Sequence, residues 1–149
     1  MIQSPANPYA AYQSAAQTAP KTRQIVMLYE GVVRFLQQAK DASLEGKLDE
    51  RYNKLSKSSE VIIALQGSLD FEQGGEPAQV LYEFYSQLYR KINDAHRADA
   101  SDISHIESII HELKEMRDVW DQIDRGENAT KTAASQAEQI PPSEDQTEA

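Results

Sequence analysis

The stretch Ser68-Leu-Asp-Phe-Glu-Gln-Gly-Gly-Glu-Pro-Ala-Gln-Val-Leu-Tyr-Glu-Phe-Tyr-Ser-Gln-Leu-Tyr-Arg-Lys-Ile92 joins the end of one amphipathic helix to the start of another. Gly74 and Gly75 reach backbone angles that residues with a Cβ avoid, so the chain is expected to turn there. Glu76 puts negative charge at a helix start, and Pro77 suits the first helical position, where its missing N–H is not needed. After it, Leu81, Phe84, Tyr85, Leu88 and Ile92 recur at the i, i+3, i+4 spacing of one helix face. A reversal at this point makes the flanking helices antiparallel neighbours.

Working outward, residues 48–69 carry Leu48, Tyr52, Leu55, Ser59, Ile62, Gln66 and Leu69 in near-heptad spacing, thickened by Val61, Ile63 and Leu65. Residues 21–46 carry Ile25, Leu28, Tyr29, Val32, Phe35, Leu36 and Ala39, with Thr18 or Thr22 as cap and Gly46 as stop. Downstream, residues 76–98 form the third helix. Residues 101–124 form the fourth, with Ile103, Ile106, Ile110, Leu113, Met116, Trp120 and Ile123 as its stripe. Ser101 or Asp102 can cap it, and Gly126 is its expected stop. Four helices with short connections predict an all-α fold, an antiparallel up-down four-helix bundle over residues 21–124. Residues 1–20 read as a short mobile N-terminal arm, with a marginal helix from about Asn7 to Gln17. Residues 125–149 hold Ile140 as their only large aliphatic side chain and read as a disordered acidic tail.

Charge and composition exclude several functions. The formal net charge is −9, from 24 acidic and 15 basic residues, which argues against a phosphate-binding surface and so against nucleic acid. There is no Cys, hence no disulfide, thiolate metal site or Cys nucleophile. No run approaches the ~18 apolar residues of a membrane span, and no basic-then-apolar leader opens the chain. The chain therefore reads as cytoplasmic, without membrane insertion.

No catalytic or metal constellation emerges. A carboxylate-bridged di-iron bundle needs two Glu-x-x-His pairs, and only Asp102-Ile-Ser-His105 comes near one. His111-Glu-Leu-Lys114 is similar to part of a histidine phosphotransfer motif, but Glu115 stands where an accessible site needs Gly. Neither a Gly-x-Ser-x-Gly elbow nor a phosphate-cradling loop is present. The chain is expected to be no enzyme and to need no cofactor or metal. What remains is surface. Val26 and Val33, and likewise Tyr82 and Tyr89, stand seven apart beside the core stripes. They either seal the bundle edges or wall a groove that accepts a partner's amphipathic helix at i/i+7 anchors.

Three stretches sharpen this reading: Asn7-Pro-Tyr-Ala-Ala-Tyr-Gln13, Ile25-Val-Met-Leu-Tyr-Glu-Gly-Val-Val-Arg-Phe-Leu36, and Ser68-Leu-Asp-Phe-Glu-Gln-Gly-Gly-Glu76 continuing to Leu88-Tyr-Arg90. In order and spacing they resemble the flagellin export chaperone family (FliS). The departures are Pro77, where the family usually has an aliphatic residue, and a missing acidic pair before Ile25. The resemblance implies a cytoplasmic chaperone that binds the disordered C-terminal segment of flagellin and prevents its premature polymerisation. It also implies help in delivery to the flagellar type III export gate. The partners implied are flagellin and an export gate protein, with a flagellar regulator or co-chaperone as a further candidate. The chain would act as a monomer or weak homodimer. The client-binding residues are expected to be Tyr9, Tyr12, Val26, Tyr29, Val33, Tyr82, Tyr85 and Tyr89. The N-terminal arm, through Tyr9 and Tyr12, is expected to cover part of the groove until the client displaces it. The alternatives are a generic helical protein-binding adaptor and a phosphotransfer domain using His111.

Overall fold

The computed structural model describes the backbone of residues 21–139 and the side chains of residues 21–126. Among the described residues there are four helices and no strand: α1 (Lys21–Leu44), α2 (Leu48–Gly67), α3 (Phe71–Arg97) and α4 (Ser104–Gln139). The expected arm helix, with Tyr9 and Tyr12, lies outside the described residues, as does everything past Gln139.

Local chemistry sets the connections. Gly46 has φ +74°, and two backbone bonds close the end of α1: Lys47 N–H to the Ala42 carbonyl at 2.8 Å and Gly46 N–H to the Ser43 carbonyl at 3.2 Å. This 6→1 and 5→2 pair needs a left-handed residue, and glycine supplies it without a Cβ clash. Before α3, the Asp70 carboxylate accepts the N–H groups of Glu72 and Gln73 at 3.0 and 3.1 Å. That cap starts the helix at Phe71, five residues before the expected start at Glu76. The expected turn survives as a kink inside α3, where Gly75 adopts φ +58° and ψ −136°. Only glycine reaches that region cheaply, and Pro77, just beyond, needs no N–H in the first turn of the resumed helix. A Cβ on Gly75 would meet nothing within 4 Å. Gly75→Ala is therefore expected to lose about 1–3 kcal/mol through backbone strain alone. Thermal unfolding followed by circular dichroism measures that loss, and an unchanged midpoint would refute the strain.

The helices close into a ring in which α1 packs on α2 and α4, while α3 packs on α2 and α4. Arg23 near the start of α1 bonds Asp121 at 3.1 Å, and Lys40 near its end bonds Glu107 at 2.9 Å, so α1 and α4 run in opposite directions. Leu36, Leu55, Ile62, Leu88, Ile92, Ile106, Ile109 and Leu113 are fully buried between the four helices. Each such side chain contributes about 1.5–3 kcal/mol by leaving water. The diagonal between α1 and α3 is bridged by side chains alone: the hydroxyls of Tyr29 and Tyr85 share a hydrogen bond at 2.8 Å.

Two stripes differ from the sequence pattern. On α2 the buried line is Arg51, Leu55, Ser58, Val61, Ile62 and Leu65, whereas Leu48 and Tyr52 are exposed. Arg51 turns its guanidinium inward, to the Ser43 hydroxyl and the Ala95 carbonyl, so the buried face lies off the heptad line expected from sequence. On α4, Ile109 joins the core and Ile123 is exposed, while Asp124 is buried beside Arg23 at 3.9 Å. The expected stop at Gly126 is also corrected, because α4 runs on to Gln139. A glycine inside a helix costs only about 1 kcal/mol relative to alanine, and Ala129, Ala133, Ala134 and Ala137 beyond it are strong helix formers.

Candidate partner-binding surface

The expected site residues divide into two groups. Val26, Tyr29, Val33 and Tyr85 are buried in the core, so Val26 and Val33 wall no exposed groove. Burial is also the main reason that the Tyr29 and Tyr85 phenols are pushed above their ordinary range. The Tyr85 neighbour pushes Tyr29 further in that direction. Tyr29 and Tyr85 meet edge to face with ring centroids 6.2 Å apart, a contact between α1 and α3.

Tyr82 and Tyr89 remain on the surface, 40% and 39% exposed. Neither hydroxyl has a hydrogen-bond partner among the described residues. The two rings mark the α3 side of a groove against α2. Phe71 leans on Tyr82 with ring centroids 5.8 Å apart, so the cap at Asp70 positions an aromatic pair at one end. Gln66 crosses the groove floor and donates to the Tyr82 carbonyl at 3.0 Å and the Ser86 hydroxyl at 2.7 Å. Further along, Tyr52, Ser59, Ile63, Tyr89, Asn93 and His96 line a depression of about 490 Å³. The Tyr52 and His96 rings stand 5.1 Å apart at its far end. Sequence reasoning missed Tyr52, Ile63 and Phe71 as surface groups. The signal was there in the excess of apolar residues on α2, which form more than one stripe.

A second, more apolar cleft of about 340 Å³ opens where the α3 kink meets the start of α1. Ile25, Leu69, Pro77, Leu81, Tyr85 and Trp120 line it, with Lys21 at its edge. The Trp120 indole N–H is buried there without a hydrogen-bond acceptor of good geometry.

This surface offers no reaction chemistry. Among the described residues no group of three or more His, Asp or Glu side chains is placed to hold a metal ion. His111 is exposed and its Nε2 lies 3.2 Å from the Glu115 carboxylate, where a carboxylate would repel an incoming phosphoryl group. No helix among the described residues is long and apolar enough to cross a membrane.

Comparison with known proteins supplies the identity that an aromatic groove alone lacks. The family described as "Flagellar protein FliS" matches residues 5–127. The chain belongs to that family. It is 27% identical over 125 residues to the flagellar secretion chaperone FliS of Campylobacter jejuni, covering 84% of this chain and 94% of that one. It is 32% identical over 113 residues to the Salmonella typhimurium flagellar secretion chaperone FliS, covering 74% and 82% of the two chains. The Vibrio cholerae flagellar secretion chaperone FliS is 28% identical over 110 residues, covering 74% and 79%. FliS is a chaperone family and not an enzyme family, which agrees with a site built from rings and grooves. The chain is accordingly a flagellar export chaperone.

Proposed function

We propose that this FliS chain binds the disordered C-terminal segment of flagellin in the cytoplasm, keeps it from polymerising and hands it to the type III export gate. The observation that carries the reading is the α2–α3 groove, whose exposed aromatics Tyr82, Tyr89, Tyr52 and Phe71 lie beside a sealed core. A helix laid in such a groove contacts it through residues at i and i+7, the spacing of Tyr82 and Tyr89 themselves. Ordering a disordered client costs about 2–5 kcal/mol of gross interaction energy, so the contact has to be extensive and apolar. The cleft at Ile25, Leu81 and Trp120 supplies a second apolar seat for a client that wraps the bundle. Tyr9 and Tyr12 are assigned to an arm that competes for this surface. Tyr29 and Tyr85 act from beneath, by fixing α3 in place.

Calorimetric titration with a peptide from the C-terminus of the same organism's flagellin, followed in parallel by circular dichroism, tests the proposal. Saturable binding with a gain in helicity and a negative heat-capacity change is the expected result. A folded chain that gives neither heat nor helicity would leave the generic adaptor as the better reading. Repeating the titration without residues 1–14 tests the arm, for which tighter binding is expected and unchanged affinity would remove it from the site.

A further inference from the structure

Beside the cleft where the α3 kink meets the start of α1, three hydrogen-bond donors come together: the Trp120 indole N–H and the hydroxyls of Tyr29 and Tyr85. The two hydroxyls share one bond at 2.8 Å. Burial does most to raise the Tyr29 phenol, the Tyr85 neighbour adds to it, and the Trp120 N–H acts the other way, as a donor. That N–H is buried, and no acceptor meets it with good geometry. An indole nitrogen can only donate, so three donors face two acceptor oxygens. The order Trp120 to Tyr29 to Tyr85 spends two of the protons and leaves the one on Tyr85. The opposite order would strand a proton on Tyr29, which is fully buried and has no acceptor but Tyr85 among the described residues. Tyr85 and Trp120 line the cleft and Tyr29 does not, so the spare proton belongs to the cleft wall.

The rest of the wall offers that proton nothing. Ile25, Leu69, Pro77 and Leu81 are apolar, and the Ser68 hydroxyl donates to the Leu65 carbonyl at 2.8 Å. The Asp70 carboxylate is taken up by the cap of α3. A buried donor without an acceptor is costly, and an incoming acceptor recovers that cost where an incoming donor or cation does not. We propose that the cleft seats one large apolar residue of the client, whose main-chain carbonyl accepts from the Tyr85 hydroxyl. The volume of about 340 Å³ lies at the small end of ligand pockets, about 300–1,000 Å³, and suits one such residue. A carbonyl in mid-helix is already spent on an N–H four residues on, and only those of the last turn are free. The client therefore passes the cleft at a helix end or between two helices. This rests on the client reading above and adds to it the kind of residue, and the backbone state, that the second seat takes.

Trp120 is the only tryptophan in the chain, so after nitrogen-isotope labelling its indole N–H gives a single NMR peak at the site itself. Cyclohexanone and methylenecyclohexane are alike in shape, and only the first carries an acceptor. Titrated against that peak, cyclohexanone is expected to bind about fivefold more tightly, the worth of one net hydrogen bond. Tyr85→Phe is expected to abolish the difference. An unlabelled peptide from the C-terminus of the organism's flagellin is expected to move the same peak to saturation, in step with the calorimetric curve, and to displace cyclohexanone. Equal binding of the two probes by the unaltered chain would show that water already satisfies the donor, and overturns the proposal. A peptide that binds without moving the peak also overturns it, and leaves the α2–α3 groove to the client. A peptide that does not bind at all overturns the client reading and this occupant with it.

Discussion

Replacing Tyr82 and Tyr89 together with alanine is expected to weaken client binding about a hundredfold or more, since buried aromatic anchors contribute about 2 kcal/mol each at interfaces. Fold stability should change little, because both rings are well exposed and neither belongs to the buried core cluster. The phenylalanine pair should bind nearly as well as the natural chain. Neither hydroxyl has a partner to lose, so ring area and not hydrogen bonding is what the substitution removes. Val119→Ala, on α4 and also exposed, serves as a control that should leave affinity unchanged. Calorimetric titration with the flagellin peptide reads all of these variants. A loss below about threefold, which is under 1 kcal/mol, would take the α2–α3 groove out of the site.

The same residues mark how far the sequence could be read. The helices and their order were legible, because Leu81, Tyr85, Leu88 and Ile92 repeat a single face and Gly46 has no role except to end a helix. The α2 stripe was misjudged at Leu48 and Tyr52, since a pattern of apolar positions cannot show that an arginine will take the inward place. Arg51 does so through partners on two other helices, and only tertiary structure brings those partners together. The site was legible by half for a related reason. Val26 and Val33 have the same seven-residue spacing as Tyr82 and Tyr89, and α1 and α3 both pack on α2 and α4, yet the flank of α1 at Val26 and Val33 is covered while the flank of α3 at Tyr82 and Tyr89 stays open to solvent. Spacing names a flank. Which flank another helix covers depends on the arrangement of the whole bundle.

Arg51 itself carries the second large expectation. Its side chain is 7% exposed and has no ion pair with a carboxylate among the described residues. The Nε group donates to the Ser43 hydroxyl at 2.8 Å, and Nη2 donates to the Ala95 carbonyl. Ala95 lies in the last turn of α3, where its carbonyl also accepts the Ala98 N–H at 3.3 Å and where the helix end carries a partial negative charge that helps compensate a buried cation. The side chain therefore braces the ends of α1 and α3 against α2, directly beside the Tyr52 and His96 rings. Arg51→Ala empties this position, leaves the Ser43 hydroxyl without its donor and leaves the Ala95 carbonyl with only the Ala98 N–H at 3.3 Å, at an expected cost of about 3 kcal/mol. Arg51→Met fills most of the volume and removes the desolvated charge, so its cost should be about half as large. Urea unfolding measures both. An independent readout comes from His96, whose pKa is held below the ordinary value first by burial and then by the Arg51 charge. In Arg51→Met its NMR titration should move upward yet stay below about 6.5, because the burial remains. With a depressed folded pKa, the stability contribution of His96 is present above pH ~6.5 and is lost as pH falls through the folded value. Arg51→Met should therefore show a shallower loss on the acid side. A variant as stable as the natural chain, with an unmoved His96 titration, would mean that Arg51 merely fills space.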